Sequence, residues 1–230
     1  MINVLSTGEL PDSLVTYARQ QNINMDVMPF IHTEQTSNPT IIKQVQELGE
    51  GKQTVIFTSK RAVHAVSSLL PSVPDWTFYS IDGTTYQEIS NRWGSQSIID
   101  CASYGAELVQ KIISNSPSEK LIFFCGDIRL DTIPDALRKA GIAFEEVVVY
   151  HTTLTPRKIT NNYDAILFYS PSGVHSFFTH NQVANIRLYS IGTTTTAALE
   201  NYNHGNNTII TSPKTDKKVM IEQVINSLIN

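Results

Sequence analysis

The chain has 230 residues, 41% hydrophobic and 17% charged, with 11 Gly, 10 Pro and a formal charge of −4. That composition excludes a disordered chain and leaves room for one large core or two small ones. The acidic balance also excludes a general nucleic-acid binder, because phosphate neutralisation needs clustered cations, and the densest basic stretch, Lys214 with Lys217 and Lys218, is interrupted by Asp216.

In chain order, the strand candidates are residues 2–6, 25–30, 54–58, 78–81, 97–100, 121–125, 144–150, 164–169, 187–191 and 207–211, each rich in β-branched and aromatic residues. Most are separated by segments of helical period. After residues 54–58, for example, Ala62, Ala65, Val66 and Leu69 recur at i, i+3, i+4 and i+7, and Val63 and Leu70 widen the stripe. The stretch 131–142 ends on Gly141 and Ile142, which suit the C′ and C″ positions of a helix stop. Alternation of this kind predicts parallel sheets covered by helices.

The chain also repeats itself. Residues 55–66 align with 166–177, keeping Phe57/Phe168, Ser59/Ser170, Val63/Val174 and His64/His175. Downstream, Tyr79/Tyr189, Ser80/Ser190, Ile81/Ile191, Thr84/Thr194 and Thr85/Thr195 pair at nearly the same spacing. Two copies of a strand, polar turn and helix unit predict two similar lobes. If the lobe of the second copy needs more strands than 164–230 supplies, it can recruit the N-terminal strands, which makes that lobe discontinuous. The expected limits are 1–30 with 158–230 for the discontinuous lobe and 36–150 for the other, with 31–35 and 151–157 as hinge linkers.

In open parallel sheets, ligands bind beyond the carboxyl ends of the strands, where helix N-termini present free N–H groups. Here those turns carry hydroxyls: Ser59, Ser170, Thr84, Thr85, Thr194 and Thr195. Each can cap its helix or donate to an anion. Conventional catalytic signatures are absent from the sequence. His32, His64, His151, His175, His180 and His204 show no metal spacing, and Ser172 lacks a GxSxG context. No GxGxxG or GxxxxGK[ST] loop is present. The adjacent Glu145 and Glu146 point to opposite faces of a regular strand and form no dyad. Cys101 and Cys125 form neither a disulfide framework nor a CxxC pair, and both are expected to be reduced. No run approaches the ~18–20 apolar residues of a bilayer span, and the first residues lack a basic segment ahead of an apolar one. A cytoplasmic protein with no membrane partner is expected.

Four motifs, in order, resemble those of the uroporphyrinogen-III synthase family across essentially the whole chain. They are Phe57–Val63, the block from Cys125 to Thr152 that includes Tyr150, residues 164–178, and residues 191–199 with Pro213 following. The resemblance implies an α/β fold of two similar flavodoxin-like lobes, each a parallel sheet flanked by helices, joined by a two-segment hinge. It implies a linear tetrapyrrole substrate, hydroxymethylbilane, closed to uroporphyrinogen III with loss of water and inversion of the terminal ring. No cofactor, metal or nucleic acid is implied, and a monomer is expected. Tyr150 matches the tyrosine favoured as general acid. The implied substrate-binding residues are Ser59, Lys60, Arg61, Thr84, Thr85, Gly126, Arg129, Ser170, Pro171, Ser172, Gly173, Thr194 and Thr195, with Arg138 near the same turns. Asp82 departs from the family's usual glycine, and Thr193 stands where some members have proline. Alternatives from the residues alone are a non-catalytic bilobal ligand-binding protein and a nucleotide-sugar transferase, the latter without a phosphate loop to support it.

Overall fold

The structure is a computed structural model and describes residues 1–229. Its first elements are β1 (Ile2–Ser6), α1 (Asp12–Gln20), β2 (Ile23–Val27), β3 (Ile31–Gln35), α2 (Pro39–Gly49), β4 (Gln53–Phe57), α3 (Lys60–Leu69) and β5 (Trp76–Ile81). Then come α4 (Thr84–Trp93), a 3₁₀ turn, β6 (Ile98–Ala102), α5 (Gly105–Asn115), β7 (Leu121–Gly126), α6 (Thr132–Lys139) and β8 (Phe144–Leu154). The chain ends with β9 (Ala165–Phe168), α7 (Pro171–Phe178), β10 (Arg187–Ser190), α8 (Thr193–Glu200), β11 (Thr208–Thr211) and α9 (Lys217–Ile229).

The chain divides into two compact units, Met1–His32 with Thr153–Asn230, and Thr33–Thr152. We call them lobe one and lobe two. Lobe one holds a five-stranded sheet in the order β11-β10-β9-β1-β2, and its neighbouring strands all pair in parallel. Numbered within the lobe, that order is the flavodoxin-like 2-1-3-4-5. In lobe two the order is β3-β8-β7-β4-β5-β6. Aligning the repeat explains the relation between the two sheets. When β4, β5 and β6 are matched to β9, β10 and β11, the neighbours β7 and β8 fall on β1 and β2. The same five-stranded arrangement is thus built twice, with the chain entering at a different strand.

Each sheet is covered on both faces. In lobe two, β4, β7 and β8 pack Val55, Phe57, Ile122, Phe124, Val147 and Val149 against Val45 of α2, the apolar stripe of α3 and Ile89 of α4. On the other face Ile56, Phe123 and Cys125 meet Leu108 and Ile112 of α5 and Leu137 of α6. Strand β7 is buried at all six positions, as expected for a central strand of a doubly covered sheet. In lobe one, β9 is likewise buried throughout. Its two faces pack on Ala18 and Met220 of α1 and α9, and on Val174, Phe177 and Leu199 of α7 and α8.

Local signals read from the sequence explain several boundaries. Gly141 has φ +70°, its N–H donates to Arg138 O, and Ile142 N–H donates to Leu137 O, which together stop α6 as a Schellman motif. The paired histidines of the repeat join helices: His64 Nδ1 lies 3.3 Å from Arg92 Nη2, and His175 Nδ1 lies 3.0 Å from the Tyr202 hydroxyl. Two expectations differ from the fold. Residues 31–35, expected as linker, form strand β3, which borders β8, and β8 itself runs on to Leu154. The sequence of β3, IHTEQ, has no apolar alternation because an edge strand with half-buried and exposed positions needs none.

Both tryptophans of the chain sit in one aromatic cluster of lobe two. Phe78 stacks on Trp93 at 5.0 Å and on Phe57 at 6.0 Å, and meets Trp76 edge-on at 6.4 Å. Replacing the fully buried Phe78 by Ala removes a large side chain from a packed core, which costs about 3–5 kcal/mol. Urea unfolding followed by Trp fluorescence, which reports lobe two alone, is expected to show a loss of that size.

Candidate functional site

Because β4, β5 and β7 run parallel, Ser59, Asp82–Thr85 and Gly126–Asp127 all emerge at the carboxyl edge of the sheet. Ser59 is the N-cap of α3, and its Oγ accepts a hydrogen bond from Arg61 N at 3.2 Å. Lys60 and Arg61 fill the exposed first turn of that helix. Among the described residues neither pairs with a carboxylate, in contrast to the other basic residues expected at the site. Arg129 pairs with Asp131 and Glu146, and Arg138 pairs with Glu146 at 2.7 Å and Asp135 at 3.0 Å. Glu146 of β8 therefore holds both guanidinium groups, while Glu145 points the other way to Gln44 and Lys120. Lys60 and Arg61 are the cations left for a ligand.

Tyr150 reaches the same edge through an irregularity. Along β7 and β8, Phe124 pairs with Val147 and Cys125 with Val148, but Gly126 pairs with Tyr150. Val149 is the extra residue, and its carbonyl accepts from Thr36 N at 2.9 Å. Bulges are uncommon in parallel pairs, and they re-aim the side chains beyond them. Regular alternation places residues 148 and 150 on one face. Instead Val148 packs with α5 and α6, whereas Tyr150 joins Val147 and Val149 on the α3 side. There its ring lies over Gly126, where a Cβ would stand 2.5 Å from ring atoms Cε2 and Cζ. Gly126, expected as a binding residue, is the seat of the tyrosine ring. Burial pushes the Tyr150 phenol above its ordinary range, partly offset by a hydrogen bond with Ser59 and the nearby Arg61 charge.

The second turn of each repeat differs between the lobes. In lobe two the Gly83 N–H donates to Asp82 Oδ1 at 2.7 Å, and Gly83 has φ +77°, so the protein supplies its own anion ahead of α4. In lobe one Gly192 stands in the matching place, with no side-chain cap on α8. Thr193 and Thr194 are exposed there, Thr84 is half-buried, and Thr85 and Thr195 are buried. The first turn of lobe one is closely built: Ser170 Oγ accepts from Gly173 N at 3.1 Å and lies 3.0 Å from Ser172 Oγ, with Pro171 opening α7. A Cβ at Gly173 would sit 3.3 Å from Ser170 Oγ. Beside it, the Ser6 hydroxyl donates to Gly8 O at 2.7 Å and lies 3.0 Å from the Tyr169 hydroxyl. Burial also raises the Tyr169 phenol.

A groove of about 360 Å³ in lobe two is lined by Lys60, Arg61, His64, Ser68 and Tyr150, with Thr33, Glu34 and Gln35 of β3 as its other wall. The sequence points to the first two cations and the tyrosine. It does not point to the β3 wall, which lacks a strand signal, nor to Ser68, whose Oγ donates to Gln35 Oε1 at 2.7 Å. His64 lies 3.3 Å from Glu88 and completes that helix face. Both cysteines are free. Among the described residues no group of three or more His, Cys, Asp or Glu is placed to hold a metal ion. No described helix is long and apolar enough to cross a membrane.

Two sheets of parallel strands flanked by helices, one with the half-buried Tyr150 phenol in a groove shared with Lys60 and Arg61, define a bilobal α/β protein. A family model described as uroporphyrinogen-III synthase HemD matches residues 12–220, and the chain belongs to that family. Uroporphyrinogen III synthase from the extreme thermophile Thermus thermophilus, in a mutant form, shares the fold with a TM-score of 0.70 at 13% identity, over 99% of this chain and 98% of that one. Uroporphyrinogen-III synthetase from Helicobacter pylori does so with a TM-score of 0.63 at 15% identity, over 99% of this chain and 100% of that one. Membership carries a cyclising lyase activity in tetrapyrrole biosynthesis, and the family's substrate is a tetrapyrrole. A non-catalytic binding protein is not favoured.

Two outcomes follow from the seat of Tyr150. Gly126→Ala meets the far end of a side chain rather than backbone, so the ring should move while the lobe stays folded. Turnover is expected to fall roughly 10- to 100-fold, since misplacement near 1 Å costs on that order, with thermal unfolding little changed. The phenols of Tyr150 and Tyr169 have folded values raised above their unfolded value of about 10, so their stabilising contribution is complete below that pH and is lost as pH rises through the folded values. Urea titrations should show stability falling above about pH 10, and Tyr150→Phe should make that fall shallower.

Proposed function

We propose that the chain converts hydroxymethylbilane to uroporphyrinogen III, with Tyr150 as the general acid that helps the terminal hydroxyl leave as water. The observation that carries this reading is the Tyr150 phenol, raised by burial and set beside Ser59 and Arg61. A neutral phenol can donate to the departing oxygen throughout the neutral pH range. Departure leaves an electrophilic azafulvene, which the substituted carbon of the last pyrrole attacks to give a spiro intermediate. Fragmentation and reclosure invert that ring, and the proton lost on rearomatisation balances the one given to water. The substrate carries its own electrophile, so the protein's part is positioning and proton donation. No cofactor enters this scheme.

Substrate carboxylates are expected on Lys60 and Arg61, which form no ion pair among the described residues although Glu34 lines the same groove, and at the first turns of α3 and α7, where Ser59, Ser170, Ser172 and Gly173 lie. The uncapped start of α8 with Thr193 and Thr194 adds a further anion position, to which Thr195 contributes neither its buried side chain nor its N–H, which donates to Gly192 O at 3.0 Å. Asp82 sets a carboxylate on the Gly83 amide ahead of α4, and its charge disfavours a substrate carboxylate at Thr84 and Thr85. Arg129 is tied to β8 by its pairing with Glu146. The lobe limits of 1–30 with 158–230 and 36–150 belong to the same reading, as does a cytoplasmic monomer.

Freshly prepared hydroxymethylbilane tests the activity: the type III isomer should form faster than spontaneous closure yields type I, and type I alone at the uncatalysed rate would refute the reading. Replacing Lys60 and Arg61 together by Ala should raise KM at least tenfold, since charge-assisted hydrogen bonds contribute about 1.5–3 kcal/mol each. Arg129→Ala should leave KM within about threefold and lower stability instead. Steady-state kinetics and urea unfolding of the two variants check both outcomes.

A further inference from the structure

The ladder between β7 and β8 ends at the residue that matters most. Among the described residues, no strand pair beyond Gly126 and Tyr150 holds β8 to β7. The chain past Tyr150 converges instead on one carboxylate. Asp127 Oδ1 accepts from Thr152 N at 2.8 Å and from Ile128 N at 2.9 Å, and Asp127 Oδ2 lies 3.2 Å from His151 Nδ1. The backbone N–H of Asp127 donates to Tyr150 O at 3.2 Å. One residue therefore bonds the backbone of Tyr150 and both residues after it.

A bulged strand end has lost the regular hydrogen bonds that fix side-chain direction, so something must replace them. The carboxylate receives the Thr152 amide that β7 no longer accepts. Burial opposes its ionisation, but the two amide bonds and the His151 ring outweigh that effect and hold its acidity below the ordinary aspartate range. The acceptor is therefore ionised at neutral pH. Its charge also opposes ionisation of the Tyr150 phenol.

We propose that Asp127 is a positioning residue for the reaction: by clamping residues 150–152 it fixes the bulge that turns the Tyr150 phenol onto the α3 side of the sheet. The inference rests on the reading of Tyr150 as general acid. It assigns Asp127 no contact with substrate. Its effect runs through the tyrosine and through nothing else.

A double-mutant cycle separates that role from a structural one. Asp127→Ala should lower kcat roughly 10- to 100-fold with KM changed less than about threefold, and Asp127→Asn, which keeps the two amide acceptor bonds, should recover kcat to within about threefold of the parent. In a Tyr150→Phe background, Asp127→Ala should cost no further activity. An equal fall in both backgrounds, an unchanged kcat in Asp127→Ala, or a loss confined to KM overturns the proposal. Should the alanine variant fail to fold, the asparagine variant decides: a roughly tenfold lower kcat in it counts against the clamp. If Tyr150→Phe alone keeps full turnover, the acid reading itself falls, an outcome distinct from any of these.

Discussion

A one-residue slip in register between β7 and β8 sets the geometry on which the candidate site depends. Without it, Tyr150 would share a face with Val148 and lie among α5 and α6, away from Ser59 and Arg61. The slip is tolerated because three neighbours absorb it. Thr36 takes the carbonyl of the extra Val149, Gly126 has no side chain where the ring must lie, and Asp127 binds the strand beyond. A local irregularity supported by specific compensating bonds is what physical chemistry expects where a side chain has to be aimed.

The duplicated sheet supplies the frame. Both lobes place serine N-caps after the strand that opens each repeat, β4 and β9, and in both the cap accepts a hydrogen bond from its own helix. The lobes then diverge where their chemistry does. Asp82 places a carboxylate on the Gly83 amide just ahead of α4, whereas Gly192 puts no charge ahead of α8; neither helix has a side-chain cap. An acidic protein can in this way present anion positions locally, through helix N-termini and two cations free of carboxylates, without a basic surface.

The repeat, the helix stop at Gly141 and the alternation of strands and helices are legible in the sequence because each depends on local periodicity or on a residue's own backbone preference. The pairing Ser59/Ser170 is legible for the same reason. Strand β3 is not, since an edge strand of mixed polarity carries no alternation. Nor is the fate of Arg129, which is decided by Glu146 on another element. The bulge is invisible in VVVY, where every residue suits a regular strand; only the register with β7 discloses it. In the sequence Gly126 looks like a ligand contact, and the structure gives its small size a different cause in the ring of Tyr150. Local signals thus outline the lobes, while the long-range pairings that aim the site emerge only in three dimensions.

In the mechanism we propose, the aimed phenol of Tyr150 acts in the chemical step. Single-turnover kinetics of the Tyr150→Phe enzyme with hydroxymethylbilane test that role most directly. Loss of a general acid should slow formation of the type III isomer by about 10²–10⁴-fold while substrate binding is preserved. A rate equal to that of the parent, in a correctly folded variant, would contradict it.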